Sequence, residues 1–158
     1  MTVRKALLIA AAVLVCLTGC ATKAAGRSPE ALAAQRVQAY MEAFNRGGKE
    51  PQGIYPFLSS DLRARISEED FLAAYLKERS YPYITPFYVF EPVIELSPDG
   101  MTGKVTFQQA ARIVGMTWEC GLVFEDGTYY FRDWEYLIDG SYLEKFKDIP
   151  YDLSWYYD

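Results

Sequence analysis

The apolar residues of this chain change their spacing at Pro86, and this change limits the folds that the chain can adopt. Before Pro86 they recur every three to four positions, which is typical of helices with one face against a core. After Pro86 they alternate with polar residues, which is typical of strands with one buried face. Helices followed by consecutive antiparallel strands predict an α+β domain.

Three helices are predicted in the first half of the domain, over about residues 29–46, 62–66 and 68–79. Ser28 followed by Pro29 is the N-cap and first-turn pair that starts many helices, so it predicts the start of the first one. Ser67 and Asp70 have the spacing of a capping box, which predicts the start of the third.

Four strands are predicted after Pro86, over Phe87–Leu96, Lys104–Val114, residues 116–125 and Thr128–Ile138. Pro92 lies within the first of them, and because proline lacks a backbone N–H it indicates an edge strand or a bulge. The Glu125-Asp126-Gly127 sequence predicts a tight hairpin before the last strand. We therefore expect N-terminal helices packed on an antiparallel sheet of about four strands.

The first residues have the pattern of an export signal. Arg4 and Lys5 precede the twelve-residue apolar run Ala6–Leu17. A helix that spans a bilayer needs about 20 apolar residues, so this run is short for one and has the length of a signal-peptide core.

Leu17-Thr18-Gly19-Cys20 follows this run and resembles the lipobox of bacterial lipoproteins. The resemblance implies a diacylglyceryl group on the Cys20 thiol and cleavage between Gly19 and Cys20. One acyl chain binds a membrane only marginally, whereas two or three hold it stably. The alternative is an ordinary secretory signal with an incidental cysteine.

These patterns divide the chain into three parts: a signal peptide at 1–19, a lipidated tether at 20–28 and one α+β domain at 29–158 with an aromatic C-terminal tail. The resemblance implies a protein of the cell envelope whose membrane partner is reached through lipid on Cys20. Because Ala21 rather than Asp follows the cysteine, it implies the outer membrane in a host with two membranes. In a host with one membrane it implies the outer face of the plasma membrane.

The charge of the mature chain excludes some partners. Removal of residues 1–19 leaves 14 basic and 21 acidic side chains, a net charge of −7. This acidity argues against nucleic acid as a partner and against electrostatic adhesion to anionic lipid. The lipid on Cys20 would then supply the membrane affinity.

Several kinds of catalytic and metal chemistry lack their usual residues. The chain has no histidine, which removes the commonest general base near neutral pH and the commonest metal ligand. Of its three cysteines, Cys16 lies in the signal and Cys20 is the proposed lipid site, so Cys120 has no internal disulfide partner and is expected to be buried. No phosphate-binding glycine loop is present. We predict no metal and no cofactor.

The order of elements over Pro29–Ile138, with the Leu58–Phe71 run "LSSDLRARISEEDF", resembles the nuclear transport factor two-like superfamily, also called the cystatin-like cone fold. The resemblance implies a curved sheet around a long helix, with a cone-shaped pocket. Enzymes of this superfamily use pocket Asp, Tyr or His residues, so Asp133 and Tyr129 are the candidate catalytic residues here. The plainer interpretation places Asp133, and likewise Glu119, on the solvated face of the sheet.

Three functions remain open from the sequence. The leading hypothesis is a non-catalytic envelope lipoprotein that binds a small apolar ligand or a partner protein. The second is an isomerase-type or cyclase-type enzyme that uses a pocket Asp or Tyr. The third is a structural accessory subunit of an envelope complex. The aromatic tail, which includes Trp155-Tyr156-Tyr157, is expected to pack on the domain, where it would close the cone or cover a sheet edge. The alternative is that it stacks on sugar rings of cell-wall glycan or on a partner.

Overall fold

The first helix, α1, spans Pro29–Arg46, as its start signal predicts. The Ser28 hydroxyl accepts the N–H of Ala31 at 3.3 Å, which satisfies one of the unpaired donors of the first turn. The computed structural model describes residues 27–80, 88–110, 115–145 and 147. The predicted signal peptide, Cys20, most of the tether and the aromatic tail lie outside the described residues.

Two single 3₁₀ turns and two further helices follow α1. The turns span Pro51–Gly53 and Tyr55–Phe57, α2 spans Ser60–Arg65 and α3 spans Glu68–Arg79. Ser67 is the N-cap of α3, as the capping-box spacing predicts: its hydroxyl accepts the N–H of Asp70 at 3.1 Å and donates to the Asp70 carboxylate at 2.7 Å. The α2 helix begins two residues earlier than predicted, because Ser59 is its N-cap.

The second half of the domain is a four-stranded antiparallel sheet with the order β1-β2-β3-β4. Its strands span Val89–Leu96, Thr102–Gln109, Thr117–Glu125 and Thr128–Phe131. The sheet is curved and not closed, since β1 and β4 do not pair. The predicted α+β class, with N-terminal helices packed on a curved sheet, is confirmed. Phe87 and residues 111–114, at the predicted ends of β1 and β2, lie outside the described residues.

Two backbone irregularities were signalled by the sequence. The register of β1 against β2 shifts between Phe90 and Val93. Glu91 has φ +46° in this interval and Pro92 follows it, so the bulge that Pro92 indicates is confirmed. The β3–β4 hairpin turns at Asp126 and Gly127, both with positive φ. This is the two-residue turn that the right-handed twist of neighbouring strands favours.

The prediction of a last strand over Thr128–Ile138 is wrong beyond Phe131. The chain leaves the sheet there, and Glu135–Ile138 form a short helix, α4, followed by a 3₁₀ turn over Ser141–Lys145. The physical reason is Trp134, which is buried and packs edge-on against rings of α3, 5.6 Å from Phe71 and 5.7 Å from Tyr75. Aromatic alternation resembles a strand in sequence, but burial of the indole against α3 decides the local structure.

Each outer edge of the sheet is covered over part of its length by side chains or backbone from the first half of the chain. On β1, the Asn45 side chain bonds the N–H and the carbonyl of Val89. On β4, the Ser59 N–H donates to the carbonyl of Phe131 at 3.0 Å, and Leu58 forms a parallel bridge with that residue. Unpaired edges invite pairing with other chains, so these contacts protect the sheet.

Candidate functional site

The space between α1 and the inner face of the sheet is occupied by aromatic rings. Tyr40 lies at its centre and stacks on Phe131 with a centroid distance of 3.6 Å. Phe44, one turn further along α1, lies 4.7 Å from Trp118 of β3, and Phe107 of β2 lies 6.0 Å from the same indole. Rings at these separations are in direct contact, so side chains fill this part of the interior.

The polar groups of this interior are phenols and one thiol. Burial raises the pKa of the Tyr40 phenol well above its ordinary value. The neighbouring Cys120, Tyr75 and Tyr136 raise it further. Because burial disfavours the charged form, Tyr40 stays neutral near pH 7 and is not a ready general base.

A second group of buried polar residues ends α3. Glu78, Arg79 and Ser80 are each at most 2% exposed. The Arg79 guanidinium carbon lies 5.0 Å from the ring centroids of both Phe44 and Tyr75, so its charge faces aromatic rings. Glu78 and Arg79 continue the buried face of α3 that Phe71 and Tyr75 begin. Because both are charged, the pattern of apolar residues did not place them in the core.

Asp133, the first candidate base, lies on the surface beside the middle of β3. Its carboxylate accepts the backbone N–H of Gly121, and a Cβ at Gly121 would lie 3.2 Å from that carboxylate. Partial burial raises the pKa of Asp133; Arg132 opposes the rise, and the nearby carboxylates add to it. In this position the carboxylate joins the end of the sheet to the start of α4.

Tyr129, the second candidate, lies elsewhere. Its ring is buried, and its hydroxyl donates to the carbonyl of Gly100 in the β1–β2 turn at 2.7 Å. Burial raises its pKa, with Glu30 and Asp99 adding to the rise. Tyr129 therefore anchors a turn while Asp133 contacts the middle of β3, and the structure does not bring the two candidates together.

Glu119 is on the outer face of the sheet, as its alternation with Trp118 predicts. Its carboxylate lies 3.3 Å from the Lys104 ammonium and accepts the Thr106 hydroxyl at 3.3 Å. Lys104 also pairs with Glu95 of β1 at 3.8 Å. These side chains are exposed, so the network contributes little to stability and leaves a net negative charge on this part of the face.

The outer face also has an apolar row on β1. Tyr88, Phe90 and Val93 are 52%, 37% and 58% exposed, and the first two rings lie 6.4 Å apart. The bulge at Glu91–Pro92 keeps Val93 on the same face as Phe90. We call these three side chains the apolar row. The alternation of residues predicts a half-buried strand here, but it does not distinguish this exposed apolar face.

Two arginines meet at Tyr130, on the side of the domain where α1 and α2 approach β4. The guanidinium carbons of Arg36 and Arg63 lie 5.0 and 5.2 Å from the Tyr130 ring centroid, and that of Arg36 lies 4.0 Å from the Phe57 centroid. The three residues come from distant parts of the chain, so no local spacing pointed to this arrangement. We call Arg36, Arg63 and Tyr130 the arginine cluster.

The described part of the chain contains neither a candidate metal site nor a candidate membrane-spanning helix. No group of three or more Cys, Asp or Glu side chains there could hold a metal ion. Across those same residues, no helix has both the length and the apolar character needed to span a membrane. The predicted lipid site Cys20 and the cleavage site at Gly19 lie outside the described residues.

Comparison with known proteins gives no relative to compare these sites with: no family model matches the chain, and neither a curated protein nor a solved structure shows a significant match.

Proposed function

We propose that this chain is a lipid-anchored protein of the bacterial cell envelope that binds a partner protein through the outer face of β1 and catalyses no reaction. The observation that carries the binding proposal is the apolar row. Soluble proteins seldom expose adjacent large apolar side chains without use, and such groups commonly mark interaction sites. The anchoring proposal depends on the lipobox resemblance at Cys20.

The interior supports a protein partner over a small ligand. Tyr40, Phe44, Phe107 and Trp118 are in mutual contact where a ligand would lie in a cone-shaped domain. A binding pocket needs space between its walls, and this part of the interior is filled by side chains.

Catalysis is disfavoured by the positions of the two candidate residues. Asp133 is bonded to the backbone of Gly121, and Tyr129 is bonded to the backbone of Gly100. Acid–base work on one substrate requires both groups within hydrogen-bonding reach of the reacting atoms. Each has a structural partner instead, and they contact different elements.

The surroundings of the apolar row indicate the chemistry of the partner. Glu91 is exposed within the bulge, and Glu95 and Glu119 share the single ammonium of Lys104. An apolar patch bordered by net negative charge complements an apolar patch bordered by basic groups. Asn45 and Pro92 obstruct backbone pairing at this edge, so the contact is expected to be made by side chains.

Photocrosslinking in intact cells tests the binding proposal. A photoreactive residue at Val93 should give one stoichiometric crosslinked protein, and the same residue at Gln38, exposed on α1, should not. When the protein that carries the photoreactive residue at position 93 also carries Phe90→Ser, the yield of that crosslink should fall. Equal crosslinking from both positions, or a crosslink only to a second copy of this chain, would contradict the proposal.

Metabolic labelling tests the anchoring proposal independently. Labelled palmitate should be incorporated into the wild-type protein and not into Cys20→Ala. Incorporation into both would show that Cys20 is not the lipid site. A specific crosslink at Val93 without lipid at Cys20 would leave the binding proposal intact and overturn only the anchor.

A further inference from the structure

The arginine cluster carries positive charge that the described residues do not neutralise. No carboxylate of those residues lies within 4 Å of the Arg36 or Arg63 guanidinium, whereas Arg65, two positions along α2, pairs with both Asp61 and Glu135. The nearby Glu125 carboxylate instead accepts the backbone N–H of Ser60 at 2.8 Å. Two cations are thus left together on a chain whose net charge is negative.

Arg36 is held in place by the backbone of two other segments. Its Nε donates to the carbonyl of Tyr129 at 2.9 Å, and its Nη2 donates to the carbonyl of Pro56 at 2.8 Å. Burial lowers the pKa of this guanidinium, Tyr130 opposes that effect and the like charge of Arg63 adds to it. Arginine nonetheless stays charged at any physiological pH, so the remaining N–H donors are oriented before any ligand arrives.

Arg63 supplies the open side of the cluster. Its Nε is buried and has no hydrogen-bond partner. A buried donor without an acceptor costs on the order of 1–3 kcal/mol, and more when it is charged. The Nη donors of Arg63 likewise bond no acceptor among the described residues, and because the side chain is partly exposed they are the donors that an anion could reach.

We propose that Arg36, Arg63 and Tyr130 form a binding site for a phosphate group. Two guanidiniums offer several N–H donors in planar, fork-like arrays, and these match the oxygens of a phosphate group. Two positive charges match the nearly two negative charges of a phosphomonoester, and the same N–H donors match the two non-bridging oxygens of a phosphodiester. The Tyr130 ring holds both guanidiniums by cation–π contact and thereby sets their separation.

Two sources of phosphate share this chemistry. One is a soluble phosphate or phosphomonoester, and the other is the phosphodiester of a lipid headgroup. The site is independent of the apolar row, since it is formed by α1, α2 and β4. It also stands if Cys20 is not lipidated.

Titration calorimetry on the full-length protein in neutral detergent tests the site with two probes. Inorganic phosphate represents the soluble source, and glycerophosphoglycerol, the water-soluble diester of the phosphatidylglycerol headgroup, represents the lipid source. We expect saturable binding of at least one probe, and the tighter one identifies the source. Arg63→Gln should weaken that binding by about tenfold or more, because it removes a charge-assisted donor set.

Arg46→Gln is the matched control, since Arg46 lies on α1, is exposed and pairs only with Glu50 among the described residues. It removes the same charge and should change the affinity less than about twofold. The proposal would be overturned if neither probe bound. It would also be overturned if Arg63→Gln and Arg46→Gln weakened the binding equally.

Nitrogen-detected or proton-detected NMR of the arginine side chains tests the site without a substitution. The Nε–Hε signals of Arg36 and Arg63 should shift on addition of the bound probe, and that of Arg46 should not. Unchanged Arg36 and Arg63 signals at saturating probe would overturn the proposal even if Arg63→Gln failed to fold.

Discussion

The side chain of Asn45 completes the backbone hydrogen bonding of Val89 at the edge of the sheet. Its Nδ2 donates to the Val89 carbonyl and its Oδ1 accepts the Val89 N–H, both at 2.8 Å. A side-chain amide at the end of α1 thereby takes the place that a neighbouring strand would have. This contact joins the first helix to the first strand.

Asn45→Ala is expected to lower the free energy of unfolding by about 2–3 kcal/mol, because it removes two hydrogen bonds at a partly buried site. Urea denaturation followed by circular dichroism measures this change. Gln38→Ala is the control, since Gln38 on the same helix bonds only the exposed Glu42 and should cost less than about 0.5 kcal/mol. Similar small losses in both variants would show that the Asn45–Val89 contact is not a stabilising one.

Gly47→Ala is expected to destabilise the domain by about 1–3 kcal/mol, as overpacking of a filled site does. An added Cβ would lie 2.5 Å from the Tyr75 hydroxyl oxygen and 3.0 Å from the Phe44 carbonyl oxygen. Because part of this clash involves the hydroxyl, Tyr75→Phe should reduce the cost of Gly47→Ala in a double-mutant cycle. Strictly additive effects would show that the two positions do not interact.

Asp133 is expected to make the domain less stable as the pH rises. Its folded-state pKa is raised from the ordinary 3.8, so the folded protein binds this proton more tightly than the unfolded chain does. The contribution of Asp133 to the free energy of unfolding is therefore fully present below about pH 3.8. It is lost as the pH rises through the folded-state pKa. The effect is small, because the side chain is exposed to solvent.

Asp133→Asn removes this titration and keeps an oxygen that can accept the Gly121 N–H. The free energy of unfolding of the wild type, relative to this variant, should fall as the pH rises from about 3.8 through the folded-state pKa. Denaturation curves at several pH values measure the difference. A difference that is constant or rises with pH would contradict the raised pKa.

Cys120 is expected to be unreactive in the folded protein. It is 1% exposed, and burial, together with the Asp133 carboxylate, raises the pKa of its thiol well above the ordinary value. The thiolate is the nucleophile, so alkylation should be slow in buffer and fast in denaturant. Iodoacetamide labelling with mass-spectrometric mapping of the Cys120 peptide distinguishes this site from the other cysteines; rapid labelling in buffer would contradict the burial.

Local signals explain why much of the fold was predictable. Ser28, Pro29 and Ser67 place the starts of α1 and α3 at the predicted residues, because capping depends on neighbours within one turn. Pro92 indicated the bulge for the same kind of reason, since it lacks the N–H that a regular ladder requires. Asp126-Gly127 likewise identified the hairpin from its own backbone preferences.

The rest depends on contacts between distant residues. The segment after Phe131 alternates like a strand, and only packing of Trp134 against α3 makes it turn inward. The arginine cluster combines residues from two helices and a strand, so its charges are adjacent only after folding. Asp133 and Tyr129 share a face in an idealised strand, but β4 ends at Phe131 and the two side chains take unrelated partners.

Asn45 at Val89 on one margin of the sheet, and the Leu58–Ser59 segment at Phe131 on the other, occupy positions where another backbone would otherwise pair. Backbone pairing is largely indifferent to sequence, whereas side-chain contact is specific to the residues presented. A partner that binds the outer face of β1 through side chains would have to recognise Tyr88, Phe90 and Val93 themselves, so its choice could change by single substitutions while the fold stays the same.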